Sequence, residues 1–387
     1  MTTDKTGAIS TWLDEQAPAM LALLGELVDI DSGSYDKAGV DRVGARLVRF
    51  YAEHLIDVTT VAVPDFGDIL RATTGPVRHS AGRRNYLMMG HRDTVFGKGE
   101  AARRPFSTRD GRAYGPGVAD MKAGLVMNAF VMAALKRFAP EIPVVALMTG
   151  DEEIGSATAR PYIEADAKCA VAVFNSEPGR VSGNIVTGRK GGFSYRFDIT
   201  GKAAHSGVNF TEGASAIAEL AHKINALHAL TRVEDGMTLN VGIVGGGVSV
   251  NTIAPTASGE VDVRFVTNAQ RDWLIEAIDA IMANSSVLGT CTKAVRDSDF
   301  FPLVPTPLSD GLTMRYLQVA RNIGLDIAGE FTGGCADSGF AASAGAPTIC
   351  GVGPVGGKAH TEEEYIEIAT LAQRARVAAL TICAMAQ

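Results

Sequence analysis

Acidic and histidine side chains follow three short apolar segments in the first half of the chain. They are His91 and Asp93 after Tyr86–Gly90, Glu152 and Glu153 after Pro143–Thr149, and Glu177 after Cys169–Phe174. The apolar segments are rich in Val, Leu or Met, which is typical of strands buried on both faces. Ligands of open α/β sheets bind beyond the carboxyl ends of the strands. We therefore expect these side chains to converge on one crevice.

Two further candidate residues lie in glycine-rich stretches. Asp120 lies in Gly115-Pro-Gly-Val-Ala-Asp-Met-Lys122, where a helix is predicted to begin, and His360 lies in Val355–Thr361. With Asp120 the crevice would hold five carboxylates, and burying them unpaired would cost a prohibitive free energy. No local cluster of Lys or Arg offsets them, whereas divalent cations would. Mixed His, Asp and Glu ligands suit zinc, and a shared carboxylate with two further ligands on each side suits a metal pair.

Each of these residues also has an ordinary structural interpretation. Asp120 alone could equally be the N-cap of a helix. The pair Glu152-Glu153 alone is typical of a solvated loop, and His205-Ser206 alone is typical of polar surface. Several such features at strand ends and glycine-rich turns together favour a metal site over the separate interpretations.

Helical patterns separate the apolar segments, and the alternation of strand and helix predicts an α/β sheet. The predicted helices of this part are Asp14–Val28, Asp41–Leu55 and Ala123–Phe138. After Gly188 the order becomes β-α-β-β-α, with the segments Phe193–Thr200, Gly213–Leu230, Thr238–Val244, Ser258–Val266 and Arg271–Met282. The first pattern returns after Asp299, with Gly311–Ile323, Thr348–Gly351 and Ile366–Met385. We therefore predict an α/β domain of residues 1–187 and 299–387, interrupted by a smaller α+β domain of residues 188–298.

Composition excludes several classes of protein. Of 387 residues 46% are hydrophobic, and 36 Lys and Arg face 43 Asp and Glu for a net charge of −7. These values exclude intrinsic disorder and leave no basic surface for a nucleic-acid partner. Five Cys without a Cys-x-x-Cys pair do not form a disulfide scaffold. No apolar run has the length of a membrane span and the first residues do not read as a signal peptide, so we expect a cytoplasmic protein without a membrane partner.

Six segments resemble the aminoacylase/glutamate carboxypeptidase family of dizinc metallopeptidases. They occur in the family's order and are Gly90–Val95, Gly115–Lys122, Thr149–Gly155, Ser176–Pro178, Gly201–Gly207 and Ala359–Thr361. Within the family the sequence is most similar to bacterial glutamate carboxypeptidases. The resemblance implies a central, mostly parallel mixed sheet flanked by helices, as in zinc exopeptidases, and an inserted α+β domain that serves as lid and dimerisation domain.

The resemblance implies two Zn²⁺ per subunit, which Co²⁺ or Mn²⁺ could replace. It implies that His91 and Glu177 bind one metal, that Glu153 and His360 bind the other, and that Asp120 bridges both. Asp93 would orient His91, and Glu152 would be the general base. It also implies a cis peptide bond after Asp120.

In the inserted domain the resemblance implies a homodimer and three substrate-contacting residues. His205 would reach the active site of the partner subunit and steady the oxyanion. Asn251 and Arg264 would bind the free carboxylate of the substrate, which an arginine fork suits. Without the resemblance, an arginine in this position would be interpreted as an ordinary surface residue of a strand.

The expected function is hydrolysis of the amide bond of an N-acyl amino acid or small peptide, which releases a C-terminal amino acid with a free carboxylate. Glutamate specificity is in question because Asn184 and Ser298 stand where glutamate-releasing relatives carry basic residues. Cys335 replaces a glycine of those relatives, and we expect it to be a buried, inert thiol. The alternatives are a succinyl-diamino-acid desuccinylase, a dipeptidase, or a metal-free binding or regulatory homologue. The last would be expected to lack Glu152, Asp120 or His360.

Overall fold

A computed structural model of the chain describes residues 3–77 and 84–386, with side chains described from residue 5. Residues 1 and 387, the outer bounds of the predicted α/β domain, lie outside this part. The α-helices of the described residues are α1 (Thr3–Glu15), α2 (Ala17–Val28), α3 (Lys37–Glu53), α4 (Glu100–Arg103), α5 (Ala123–Phe138), α6 (Arg160–Lys168), α7 (Ala216–His228), α8 (Asn268–Ala283), α9 (Pro307–Asn322), α10 (Ser338–Ser343) and α11 (Ala369–Met385).

The strands of the same residues form three sheets. They are β1 (Asp57–Val61), β2 (Ile69–Thr74), β3 (Asn85–His91), β4 (Ser107–Arg109), β5 (Arg112–Tyr114), β6 (Val144–Thr149), β7 (Ala170–Asn175), β8 (Ile185–Arg189), β9 (Gly191–Thr200), β10 (Thr238–Gly246), β11 (Thr256–Phe265), β12 (Cys291–Phe300), β13 (Gly329–Thr332), β14 (Thr348–Cys350), β15 (Gly356–Gly357) and β16 (Tyr365–Glu367).

The chain divides into two compact units. The first unit contains Met1–Gly188, Leu303–Thr332 and Asp337–Gln387, and the second contains Arg189–Pro302 and Gly333–Ala336. Each unit has its own hydrophobic core.

The large sheet of the first unit has the strand order β1-β2-β6-β3-β7-β14-β8-β13. Its central strands β6, β3, β7 and β14 run parallel, and β3 and β6 are buried along their whole length. In the register His91 lies opposite Thr149, and Met89 lies opposite Asn175. The carboxyl ends of β3, β6 and β7 therefore reach one edge of the sheet, as expected for a ligand site.

Helix α5 fills the core beside this sheet. The stretch Val118–Phe138 is the one candidate membrane span among the described residues, by length and hydropathy, but 94% of its apolar window is buried inside the protein. Core helices meet the same criteria. The predicted helix Asp14–Val28 is wrong as a single element, because Gln16 separates α1 from α2. Pro18 lies in the first turn of α2, where its missing N–H costs no helical hydrogen bond.

A small sheet of the first unit, in the order β15-β16-β5-β4, was not expected from the sequence. Its strands have only two or three residues and show no hydrophobic period. The loop with His360 connects β15 to β16, and β16 pairs with β5. This pairing brings the His360 loop close to the chain that leads to Asp120.

The second unit has an antiparallel sheet of order β10-β11-β9-β12 with α7 and α8 packed on it. Helix α8 begins with a capping box, in which Thr267 and Gln270 each accept the other's backbone N–H. The edge strand β12 was missed because its side chains are largely polar and exposed, without the alternation of a half-buried strand.

Candidate metal and catalytic site

The three strand ends and two loops of the first unit place seven side chains in one cluster. They are His91, Asp93, Asp120, Glu152, Glu153, Glu177 and His360. Six of them are buried or partly buried, and only His360 is exposed. These are the first-unit residues that the sequence predicted to converge.

Asp120 lies between the two histidines. Its Oδ1 is 3.1 Å from Nε2 of His91, and its Oδ2 is 3.4 Å from Nε2 of His360. The two oxygens of one carboxylate thus face two different imidazoles. Asp120 is carried by the turn Val118–Lys122, and the peptide bond between Asp120 and Met121 is cis, as the resemblance implied.

Each histidine has a separate glutamate beside it. Nε2 of His360 is 3.3 Å from Oε2 of Glu153. Nε2 of His91 is 3.8 Å from Oε1 of Glu177 and 3.9 Å from Oε2 of Glu152. The cluster therefore consists of two neighbouring His–Glu groups that share Asp120, with Glu152 as an additional carboxylate.

Asp93 orients both His91 and the loop that carries the glutamates. The carbonyl oxygen of Asp93 lies 2.9 Å from Nδ1 of His91, and its carboxylate lies 3.4 Å from the same nitrogen. The carboxylate also accepts the backbone N–H of Glu152 at 3.2 Å and of Glu153 at 3.1 Å. Ser34 donates its hydroxyl to the same carboxylate at 2.8 Å. Asp93 is thus fully occupied in fixing its neighbours, as is typical of residues that orient metal ligands.

Burial and mutual contact shift the pKa values of the cluster in opposite directions. Burial would lower the pKa of His91, but hydrogen bonds with Asp120 and Asp93 raise it well above its usual value. Hydrogen bonds with Asp120 and Glu153 raise the pKa of His360 to about 10. Burial raises the pKa of Glu152 well above its usual value, and burial likewise raises the pKa of Glu153. The positive charge of two imidazoles therefore offsets only part of the negative charge of the surrounding carboxylates.

The donor set fits divalent metal ions. One ligand atom each of His91, Asp120 and Glu153 lies within 4.8 Å of the others. The second oxygen of Glu153, Oε1, is buried and accepts no hydrogen bond. A buried acceptor without a partner costs free energy, which a bound cation would remove. Imidazole and carboxylate donors are among those that bind zinc in proteins.

Sequence reasoning missed Glu364, a positioning residue of the cluster. Its fully buried carboxylate accepts the backbone N–H groups of Gly117 at 3.2 Å, Ala119 at 2.8 Å and Asp120 at 2.9 Å. Burial raises the pKa of Glu364 to about 7. In the sequence it is the third of three consecutive glutamates, and nothing distinguishes it from its exposed neighbours.

Asp337 was also missed. It is buried and interacts electrostatically with Glu152, and burial raises its pKa to about 7. Ser156 donates its hydroxyl to one carboxylate oxygen, and Thr149 donates to the other at 3.5 Å. Asp337 thus connects α10 to the loop that begins with the glutamate pair.

The remaining predicted residues lie in the second unit. Arg264 binds Asp262 through Nε at 2.9 Å and Nη2 at 2.8 Å, and its Nη1 donates to Sγ of Cys335 at 2.8 Å. Cys335 is partly exposed, not buried as predicted, and it lies in the segment Gly333–Ala336 that belongs to this unit. His205 is exposed, and the N–H of Ser206 donates to the carbonyl oxygen of Asn251 at 3.0 Å.

The two positions that bear on glutamate specificity also have defined surroundings. Asn184 donates to Glu330 at 3.0 Å and accepts the N–H of Ala328 at 2.8 Å, so its amide is engaged within the first unit. Ser298 is an exposed bulge residue of β12 with a positive φ of 47°.

Comparison with known proteins matches residues 87–384 to the model of "Peptidase family M20/M25/M40". Carboxypeptidase G2 of Pseudomonas sp. (strain RS-16) is 28% identical over 379 residues, which cover 95% of this chain and 89% of that protein. Acetylornithine deacetylase of Edwardsiella ictaluri (strain 93-146) is 27% identical over 306 residues, covering 71% and 76%.

Solved structures share the fold. Aminopeptidase PepT from Bacillus cereus ATCC 10987 has a TM-score of 0.76 and 24% identity, over 96% of this chain and 99% of that chain. The family match extends over well more than half of the sequence. This protein therefore belongs to peptidase family M20/M25/M40 and is a metal-dependent peptidase or amidohydrolase.

Proposed function

We propose that the protein is a dizinc amidohydrolase that releases an amino acid with a free carboxylate from an N-acyl amino acid or a small peptide. The arrangement of Asp120 carries this proposal, because its two oxygens face His91 and His360 separately. The names of the relatives, a carboxypeptidase and a deacetylase, are consistent with hydrolysis of an amide bond.

In the proposed site, His91 and Glu177 would hold one metal, Glu153 and His360 the other, and Asp120 both. When bound, two such cations lower the pKa of a water molecule and polarise the amide carbonyl. Glu152 is the proposed general base, and its carboxylate borders the cluster 3.9 Å from His91. It would accept the proton of the attacking water and pass it to the departing amine. Asp93 keeps the His91 ring and the Glu152 backbone in place throughout.

The second unit would supply substrate recognition. Asn251 and Arg264 would bind the free carboxylate, for which the guanidinium, paired with Asp262 in this structure, would have to offer its remaining N–H groups. His205 is exposed, as a side chain that reaches a partner subunit would have to be. The engaged amide of Asn184 supports a preference other than glutamate.

The decisive experiment measures amine release by the zinc-loaded protein from N-acetyl amino acids with acidic, aromatic, aliphatic and basic leaving residues. Small dipeptides, N-acetylornithine and a succinyl-diamino acid complete the panel, and each reaction is run with and without a chelator. We expect chelator-sensitive release from N-acyl amino acids, without a preference for acidic leaving residues. Preferred release from the diamino-acid conjugates or dipeptides would replace the proposed substrate class, and release that a chelator leaves unchanged would contradict the metal mechanism.

A further inference from the structure

A cavity of about 610 Å³ opens in the first unit beside Glu153. Its wall is formed by residues 33–36, residues 94–98 and the pair Glu153-Ile154. Small-molecule sites typically measure about 300–1,000 Å³. The cavity thus has room for a substantial part of a substrate next to one of the proposed metal ligands.

The wall of this cavity is largely apolar and aromatic. It contains Tyr35, Val95, Phe96 and Ile154. Tyr35 is 82% exposed and Val95 is 46% exposed. Exposed apolar side chains that border one cavity next to a reactive cluster are typical of a ligand-binding surface.

Hydrogen bonds hold the wall in shape and connect it to the catalytic cluster. The N–H of Ser34 donates to the carbonyl oxygen of Thr94 at 3.3 Å, and the N–H of Thr94 donates to the carbonyl oxygen of Ser32 at 2.9 Å. The hydroxyl of Ser34 donates to Asp93, which also accepts the N–H of Glu153. The cavity is therefore preformed, which reduces the entropy cost of binding.

The charges of the wall indicate which end of a substrate it accepts. Apart from the proposed metal ligand Glu153, the charged lining residues are Asp36 and Lys98. The wall therefore has no excess of positive charge to bind the free carboxylate of an N-acyl amino acid, whereas the uncharged acyl group meets apolar side chains.

We propose that this cavity is the acyl subsite and that it selects substrates with a bulky aromatic or apolar acyl group over N-acetyl substrates. This inference rests on the proposed amidohydrolase function and adds the substrate class to it. The test compares N-benzoyl and N-acetyl conjugates of the same amino acid, the one released fastest in the panel above. The zinc-loaded protein is expected to show a kcat/KM at least about tenfold higher for the benzoyl conjugate.

Gly97 allows the cavity to be narrowed. A Cβ at this position would meet no atom within 4 Å, and the backbone is not in the left-handed region. Gly97→Leu is therefore expected to fold and to lower kcat/KM for the benzoyl conjugate roughly tenfold, with the acetyl conjugate changed less than about twofold. Gly311→Leu is the matched control, because a Cβ on that helical glycine also meets no atom within 4 Å.

A second variant removes wall surface. Tyr35→Ala is expected to lower the benzoyl-to-acetyl ratio several-fold, whereas Leu55→Ala, at a residue 79% exposed, is expected to leave the ratio unchanged. Equilibrium binding of both conjugates to a Glu152→Gln variant gives a readout that does not depend on turnover, and the benzoyl conjugate is expected to bind more tightly.

The outcomes separate this inference from the function on which it rests. Cleavage of both conjugates at equal kcat/KM, or a Gly97→Leu variant that slows both alike, would overturn the acyl subsite alone. Absence of chelator-sensitive cleavage of either conjugate would overturn the proposed function and the subsite with it.

Discussion

At the scale of single residues, the adjacent Glu152 and Glu153 have different surroundings. Both backbone N–H groups donate to Asp93, so the pair is held at one point. From there the side chains diverge, with Glu153 at 3.3 Å from His360 and Glu152 at 3.9 Å from His91. Two identical side chains can therefore serve as a metal ligand and as a base.

This difference predicts opposite effects of the same substitution. Glu152→Gln is expected to keep both metals and lose turnover by about 10²–10⁴-fold, because only proton transfer is removed. Glu153→Gln is the matched variant and is expected to lose metal affinity. Metal content by elemental analysis, thermal unfolding and kcat would be measured for both. Metal loss in Glu152→Gln with retention in Glu153→Gln would show that the two roles are exchanged.

At the scale of elements, Glu364 joins the two loops that carry Asp120 and His360. It follows His360 on the loop before β16, and its carboxylate accepts N–H groups at and before Asp120. The pairing of β16 with β5 brings these loops together, and Glu364 then sets their spacing. The positions of two proposed ligands thus depend on one buried side chain.

Glu364→Gln is expected to weaken metal binding by about 10–100-fold, the usual effect of changing a residue that orients ligands. The amide N–H₂ of glutamine would face a backbone N–H and leave it without an acceptor. Zinc titration of the metal-free protein against a competing chelator measures the affinity. Glu363→Gln, on the same loop with an exposed side chain, is the control and should bind zinc normally. Unchanged affinity in Glu364→Gln would remove Glu364 from the positioning role.

At the scale of the whole molecule, the two edges of the second-unit sheet differ. On and near β10, the exposed apolar residues are Ile243, Val244, Val248 and Val250. On β12, exposed Val295 lies among the charged residues Lys293, Arg296 and Asp297. Charged edge strands resist pairing with other chains, whereas apolar edges invite it. The β10 edge is therefore the surface that we expect a second subunit to cover.

The expected homodimer can be tested at this edge. We expect light scattering to give a dimer at micromolar concentration, and Val244→Lys to give a folded monomer because it buries a charge in the contact. Since His205 is proposed to complete the partner's site, the monomer should also lose most turnover. Val295→Lys, at an equally exposed valine on β12, should remain a dimer. A monomeric wild-type protein with full turnover would contradict both the dimer and the role of His205.

The central strands of the first unit could be predicted closely, since Tyr86–Gly90 lies within β3 and Pro143–Thr149 contains β6. A buried parallel strand reads as a continuous apolar run, and this local signal survives folding. The small sheet and β12 could not be predicted, because two-residue and largely exposed strands carry no such signal.

The sequence by itself determined which types of metal-ligating side chain follow the strand ends. It also determined that their carboxylates outnumber the Lys and Arg residues nearby in the chain. Residue type and strand-end position are local properties, so His91, Glu153 and Glu177 could be predicted together from the chain alone. Only the tertiary structure decided that Asp120 faces both histidines, that Glu364 and Asp337 support the loops, and that Tyr35 and Val95 border one cavity. These relations join residues far apart in the chain, and they exist only after the core has brought their segments together.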